Sequence, residues 1–308
     1  MKSIKKKTSQ LISLVLLLAL FISVFPQNAQ AAESLDINLK NNQTFYLLPG
    51  TEKLNFKVKV TASNITGDQT CSSSNLSVAD IDNMGNMVIN DAGSTNITVT
   101  VGDKKVTRTI KVLRRTDWTR VITVKNKEKL VAKNQVCSIK LTNQMDFPVK
   151  TVLHYNTIAD SGSTISSDVK TSDIYLPAGK SITYKMMVPD GITMISVTGA
   201  DFIYDQFGLK KIDSKKVVIK ESILPGNAKN SKVITEKITN KNKVGIVQPY
   251  HLYLYDQKGN LISVEYKFIK VAAKQKTNVS YTYTTKDKYL DSYVAKVKYK
   301  FETPLPFF

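Results

Sequence analysis

The chain has 308 residues, 42% of them hydrophobic, and its 44 basic and 25 acidic residues give a formal net charge of +19. Its one long uncharged apolar run, residues 11–24, is shorter than the roughly 20 residues that a membrane-spanning helix needs. The sequence therefore excludes a transmembrane segment in the mature form, and its length is enough for two or three domains.

The first 31 residues have the organisation of a signal peptide. Four lysines lie between residues 2 and 7, the apolar run follows, and Ala29 and Ala31 supply the small residues that signal peptidase requires. We predict cleavage after Ala31 and a secreted or extracellular location, including association with the cell wall. Residues 302–308 carry no sortase-type signal, so we expect release or non-covalent attachment.

Alternation of apolar and polar residues predicts β-strands along the rest of the chain. Residues 54–60, 97–101 and 297–301 alternate in this way, and turns with proline and glycine, such as residues 177–179, separate such runs. We predict an all-β protein with three tandem immunoglobulin-like antiparallel β-sandwich domains after the cleaved signal peptide. The predicted domain bounds are residues 35–113, 117–213 and 214–303.

The first domain carries short motifs in the order turn, strand, hairpin and turn: Ser72-Ser-Ser-Asn75, Val78-Ala79, Ile81-Asp82 with Gly85, and Ala92-Gly93. In this order they resemble the bacterial immunoglobulin-like group 2 domain of invasin- and intimin-type surface proteins. The resemblance implies a non-catalytic spacer or adhesive domain. Cys71 stands where that family usually has tryptophan, which affects the expected core packing more than the fold.

The second and third domains are copies of one unit. A constant shift of 97 residues aligns them, and the matched positions include residues 140–143 with 237–240, His154 with His251, Gly162 with Gly259, and Tyr184 with Tyr281. Residues 250–256 of the later copy are similar to the Phe-x-Leu-Tyr-Asp signature of small sandwich domains in secreted bacterial proteins, which supports the β-sandwich prediction. We call residues 117–213 and 214–303 the first and second repeat copies.

Positive charge is concentrated in the second repeat copy. Residues 32–113 have a net charge of 0, residues 114–214 of +4, and residues 215–308 of +11. Outside a bacterial cell such a surface attracts polyanions, including teichoic acids and acidic polysaccharides, without sequence selectivity. Outward lysines that maintain solubility and protect sheet edges explain the same composition.

The sequence offers no recognisable catalytic or metal centre. The two histidines, His154 and His251, occupy one position in two copies of a domain, so we expect each to have a structural role. Motifs for a serine nucleophile or a zinc protease are missing. The Asp82 to Asn86 segment has oxygen ligands around a glycine but lacks the later glutamate of a calcium loop, so a hairpin turn explains it. We predict no enzyme activity, no cofactor and no metal.

Cys71 and Cys137 lie in different predicted domains. Export permits a disulfide, but both occupy positions where apolar core residues are expected. Two buried thiols are the favoured interpretation, and a bridge between the domains is the alternative.

Aromatic residues mark the remaining candidate site. Nine of the 14 tyrosines lie between Tyr250 and Tyr299. On the strand that begins at Tyr250, alternation sends His251, Tyr253 and Tyr255 to one face. If exposed beside Lys296, Lys298 and Lys300, they would form a ligand-binding strip for an acidic glycan. Tyrosine is also a favoured strand residue that packs on sheets.

These observations predict an exported, non-catalytic cell-surface or extracellular scaffold that acts in adhesion or in wall or matrix binding. The predicted partners are anionic wall polymers or polysaccharides, with no specific nucleic acid. The alternatives are a polysaccharide-binding accessory protein that uses the tyrosine- and lysine-rich last domain, and a secreted hydrolase of an unrecognised family.

Overall fold

A computed structural model describes residues 32–127, 130–131, 135–207, 212–226, 232–283, 294 and 296–306. The predicted signal peptide lies outside the described residues. Within them the regular elements are β-strands and two 3-10 turns, with no α-helix, so the all-β prediction is confirmed. No helix in these residues has the length and apolar character needed to cross a membrane.

The chain forms two compact units. Unit 1 contains the described residues up to Gln43 together with Asn55–Ile89 and Ser94–Ile110. Unit 2 contains Thr44–Leu54, Asn90–Gly93 and the chain from Lys111 onward. Both repeat copies belong to unit 2, and the predicted boundaries of three domains stay a prediction.

Residues 34–114 form nine strands whose inward side chains alternate with exposed ones. They build a two-stranded sheet (β1-β4) and sheets in the orders β2-β9-β8-β5 and β3-β7-β6. The bounds are β1 Ser34–Ile37, β2 Gln43–Leu47, β3 Leu54–Lys57, β4 Val60–Ser63, β5 Gln69–Ser73, β6 Ala79–Ile81, β7 Asn86–Ile89, β8 Gly93–Val101 and β9 Lys104–Arg114.

The Asp82 segment is a hairpin turn that closes on itself. The backbone N–H and the side-chain amide of Asn86 donate to the two carboxylate oxygens of Asp82, at 2.8 and 2.7 Å. These bonds lower the pKa of Asp82, and Gly85 provides the positive φ of 82° that the turn requires. The carboxylate therefore serves the turn itself.

The first repeat copy is a sandwich of two antiparallel sheets in the orders β10-β12-β16 and β11-β17-β13-β14, with β15 beside β13. Its core includes Ile139 and Leu141 from one sheet and Leu153 and Val197 from the other. The elements are a 3-10 turn at Trp118–Arg120, β10 Ile122–Val124, β11 Leu130–Val131, β12 Val136–Asn143, β13 Val149–Ala159, β14 Thr164–Lys170, β15 Ile174–Leu176, β16 Ser181–Met187 and β17 Ile192–Tyr204.

The second repeat copy repeats this plan with sheets in the orders β18-β19-β22 and β21-β20-β23, with β24 beside β20. Its core includes Ile234, Ile238, Leu252 and Leu254. The elements are a 3-10 turn at Ser214–Lys216, β18 Val217–Pro225, β19 Lys232–Asn240, β20 Ile246–Tyr255, β21 Leu261–Val271, β22 Lys276–Tyr283, β23 Lys296–Phe301 and β24 Leu305–Pro306.

A buried asparagine at the equivalent position of each copy connects three backbone carbonyls at one corner of the sandwich. The side-chain amide of Asn143 donates to the carbonyls of Phe147, Leu176 and Pro177 at 2.8, 3.4 and 3.1 Å. Asn240 donates in the same way to Val244, Val271 and Ala272 at 2.7, 3.2 and 3.0 Å. Both asparagine side chains are almost fully buried, and they satisfy backbone carbonyls of the neighbouring turns.

These matched bonds also correct the alignment of the copies. Asn240 and Val244 follow their counterparts by 97 residues, whereas Val271 and Ala272 follow theirs by only 95. The segment from Val244 to Val271 is therefore two residues shorter than the matching segment from Phe147 to Leu176. Strand pairing of Ile139 with Tyr184 and of Glu236 with Val279 then aligns Tyr184 with Val279, so its alignment with Tyr281 was wrong.

Both cysteines are free thiols. Cys137 is fully buried among apolar residues, and burial raises the pKa of its thiol to about 11. Cys71 is only partly buried, so the prediction of a buried thiol was wrong there. It lies beside Gln69, whose amide is 3.6 Å from the sulfur, at a polar strand position rather than in a core.

Candidate functional site

Strand β20 directs alternate side chains to the core of the second repeat copy and to the outer face of the same sheet. Tyr250, Leu252 and Leu254 are fully buried on the core side. The alternate side chains point the other way, as the period of a strand requires. Strand β23 runs antiparallel to β20 and pairs His251 with Lys300, Tyr253 with Lys298, and Tyr255 with Lys296.

The structure thus brings all six candidate residues onto one face of one sheet. The three lysines are exposed, and the two tyrosines are partly buried. Directly opposed residues of an antiparallel pair have Cβ atoms about 5 Å apart, close enough for their side chains to interact. The face therefore presents ammonium groups alongside phenol rings.

His251 does not belong to the accessible part of this face. It is 0% exposed, and its Nε2 accepts a 3.1 Å hydrogen bond from the backbone N–H of Lys185 on β16 of the first copy. An accepting Nε2 carries no proton, so Nδ1 holds the proton and faces Glu302 at 3.4 Å. The suggestion that His251 is exposed to a ligand was wrong, because the first copy covers it.

The same covering contact adds a residue that the sequence did not suggest. Lys185 reaches across from β16 with its Nζ 5.4 Å from the centre of the Tyr253 ring, and Lys298 lies likewise 5.3 Å from the Tyr255 ring. Both distances suit cation–π contact. We call Tyr253, Tyr255, Lys185, Lys296, Lys298 and Lys300 the lysine–tyrosine strip.

Most of the charge on this strip is uncompensated. Lys300 lies 3.3 Å from Glu302, whereas Lys185, Lys296 and Lys298 form no ion pair among the described residues. Burial opposes ionisation of Glu302, but His251 and Lys300 beside it lower its pKa overall. One end of the strip is therefore partly neutralised, and the other end is cationic.

A buried carboxyl group lies on the opposite, core side of the second copy. Glu236 on β19 is 0% exposed, and neither of its oxygens has a hydrogen-bond partner among the described residues. The hydroxyl of Tyr250 bonds instead to that of Tyr281, at 3.0 Å. Desolvation raises the pKa of Glu236 to about 7, although Tyr250 and Lys267 partly offset it.

His154, the counterpart of His251, lies in a different environment. Its Nδ1 is 2.7 Å from Asp168 and its Nε2 is 2.8 Å from Asp201, which also lies 3.4 Å from Lys170. The bond to Asp201, assisted by Asp168, raises the pKa of His154. Two carboxylates that bind both ring nitrogens stabilise the imidazolium, which leaves no free nitrogen for proton transfer.

Residues 36–112 match the family described as bacterial Ig-like domain (group 2). This part of the chain is therefore a bacterial Ig-like domain, in agreement with the resemblance of its motifs. The match ends before the two repeat copies. No curated protein matches the chain.

Solved structures give distant likenesses. Salmonella alpha-2-macroglobulin reacted with methylamine is 6% identical with a TM-score of 0.20, and the match covers 89% of this chain but 22% of that one. A chimeric titin Z1Z2 is 12% identical with a TM-score of 0.27, over 80% and 99% of the two chains. Domains 5-6 of the S-layer protein SbsC are 14% identical with a TM-score of 0.21, over 79% and 100%. Likenesses this distant carry no argument about function.

Proposed function

We propose that this protein is an exported, non-catalytic scaffold that holds anionic wall or matrix polymers on its second repeat copy. The observation that supports this most strongly is the lysine–tyrosine strip, where three exposed lysines lie side by side on β23. Alternate residues of a strand are about 7 Å apart, so the ammonium groups form a row that suits a linear polyanion.

The ring geometry favours binding by charge over binding by sugar stacking. A sugar that stacks on tyrosine needs a free ring face. Lys185 and Lys298 lie over the rings of Tyr253 and Tyr255, so a stacking sugar would have to displace both ammonium groups. The polysaccharide-binding alternative therefore becomes one outcome of the test below.

Wall binding by matched lysine variants tests the proposal. Replacing Lys296, Lys298 and Lys300 together with glutamine removes three charges from the strip. The control replaces Lys220, Lys237 and Lys276, which are exposed on the other sheet, and removes the same charge. Purified walls with and without teichoic acid serve as the binding partner.

We expect the strip variant to bind teichoic acid-containing walls at least about tenfold more weakly, and the control variant to bind nearly as well as the parent. Binding of the parent should fall steeply with salt. Equal losses in both variants would indicate net charge alone and would contradict an assigned strip. Binding that survives high salt and is competed by a neutral sugar would favour the stacking alternative.

A further inference from the structure

A polar hollow in unit 2 lies away from the lysine–tyrosine strip. It is an open depression with a volume of about 530 Å³, within the roughly 300–1,000 Å³ of small-molecule sites. Arg115, Arg120, Tyr46 and Asp146 line it, together with Thr119, Thr123, Gln144 and Met145. Hydroxyl and amide groups therefore surround two guanidinium groups and one carboxylate.

Arginine is rare in this chain, which makes its position informative. Only four of the 44 basic residues are arginines: Arg108, Arg114, Arg115 and Arg120. The first two pair with Asp36 and Asp91 at 3.0 and 2.9 Å. The other two line the hollow, whereas the remaining 40 basic residues of the chain are lysines. Arginine differs from lysine in its planar fork, which binds carboxylate or phosphate through two parallel hydrogen bonds.

Neither arginine of the hollow forms an ion pair in the described part of the chain, although Arg120, after the hydrogen bonds from Thr119, contributes to lowering the pKa of Asp117. Arg115 lies with its guanidinium carbon 5.9 Å from the centre of the Tyr46 ring, and its Nε is buried without a hydrogen-bond partner. Arg120 ends the 3-10 turn that Asp117 caps, and its side chain is exposed. The Arg120 guanidinium is thus open to a ligand, and Arg115 lines the same hollow as a partly buried second cation.

The other lining groups narrow the class of ligand. Gln144 donates a 2.9 Å hydrogen bond to the hydroxyl of Thr123, which fixes both side chains at the wall. Thr119 adds another hydroxyl, and the carboxylate of Asp146 can only accept hydrogen bonds. A bare anion would be repelled by Asp146, whereas a ligand with hydroxyl groups beside its anionic group would bond to it.

We propose that this hollow binds an acidic sugar unit, with Arg115 and Arg120 on its carboxylate or phosphate and Asp146 on its hydroxyl groups. The site is independent of the lysine–tyrosine strip. It recognises one small unit by paired hydrogen bonds, whereas the strip attracts a long polymer by charge.

Calorimetric titration of the full chain with D-glucuronate, glucose 1-phosphate and glucose tests the site. The first two probes carry a carboxylate and a phosphate, and glucose is the neutral control. We expect saturable binding of at least one acidic probe at millimolar concentration or below, and no binding of glucose. Which acidic probe binds more tightly decides between a uronate and a sugar phosphate.

Single-residue variants test whether the acidic probe binds in the hollow. Arg115→Gln and Arg120→Gln should each weaken the acidic probe at least about tenfold. Arg120→Lys should fail to restore it, since the charge returns without the fork. Lys125→Gln, which removes an exposed charge outside the lining, should bind like the parent, as should the triple variant of Lys296, Lys298 and Lys300. An unchanged melting temperature excludes misfolding.

Three results would overturn the proposal: no saturable binding of either acidic probe, equal binding of glucose, or an equal loss in Lys125→Gln and Arg120→Gln. The first leaves the proposed function of the strip intact, because that function is measured on polymers and on other residues.

Discussion

The two repeat copies share a fold and differ in what they bury. At the centre of β12 the first copy has Ile139, and the matching residue on β19 of the second copy is Glu236. Leu153 and Val197 belong to the same core cluster as Ile139 in the first copy, whereas Tyr250 and Tyr299 bring hydroxyl groups into the second. Both copies keep the same sheet plan and the same asparagine corner around these different cores.

The difference extends to the outer faces. The turn after β12 contributes Gln144 and Asp146 to the polar hollow, and the matching residues of the second copy are Lys241 and Lys243. Duplication thus leaves one copy with a mixed polar surface and gives the other a surplus of lysine. The first copy has Ile139 at the centre of its core, whereas the second carries a carboxyl inside and a surplus of lysine outside.

The largest expected effect on stability comes from placing a carboxyl in the core of the first copy, at the position that matches Glu236. Ile139→Glu places a carboxyl among Leu153, Val197 and their neighbours in the first core. We expect a loss of about 4 kcal/mol in the free energy of unfolding at neutral pH. Urea unfolding followed by the fluorescence of Trp118, the single tryptophan, measures it. A loss below about 1 kcal/mol would show that this core accepts a carboxyl as readily as the second.

Replacing Glu236 with an apolar residue should remove a pH dependence from the stability of the second copy. The pKa of Glu236 is raised to about 7 in the folded chain, so the folded state holds its proton more tightly than the unfolded state. The contribution of the protonated carboxyl to the free energy of unfolding is fully present below about pH 4.5. About 3 kcal/mol of this free energy is lost as pH rises to 7 and beyond.

Amide hydrogen exchange of β19 at pH 5 and pH 8, corrected for the intrinsic rate, reports this loss. Glu236→Leu should abolish the dependence and protect the strand at pH 8. Glu221 and Lys267 also influence this carboxyl, so Glu221→Gln serves as the control and should keep most of the dependence. A parent protein with equal protection at both values would contradict the raised pKa.

The asparagine corner should behave alike in both copies, since its hydrogen bonds are alike. Asn143→Ala and Asn240→Ala each leave three backbone carbonyls with one donor fewer. We expect about 2 kcal/mol of destabilisation from either change. Local exchange rates in the two corners give the comparison, and a large effect in one copy only would show that the corners are not equivalent.

The smallest effect concerns His154. The pKa of His154 is raised, so its ion pairs stabilise the folded chain below the ordinary histidine range and are lost as pH rises through the folded value. Because Asp168 and Asp201 are exposed, the contribution should stay under about 1 kcal/mol. Comparing His154→Gln with the parent at pH 6 and pH 9 tests this, and a difference that grows with pH would contradict it.

Alternation and short motifs were sufficient to predict the strands, the first domain and the assembly of Tyr253, Tyr255 and the three lysines of β23 on one face. The burial of His251 and the position of Lys185 beside Tyr253 both depend on the packing of β16 against the second copy. This packing between the two copies leaves no periodic pattern in the sequence. Glu236 was missed because a carboxyl at an inward position looks like an interruption of the pattern. A shift of 97 residues, read without a gap, concealed the two-residue deletion.

Lysine footprinting tests the central claim most directly. The full chain is acetylated briefly with and without a soluble polyphosphate, and each lysine is followed by mass spectrometry. Our account predicts protection of Lys296, Lys298 and Lys185, while Lys220 and Lys237 on the other sheet react as before. Equal protection on both sheets, or none on the strip, would contradict a binding face on the second copy.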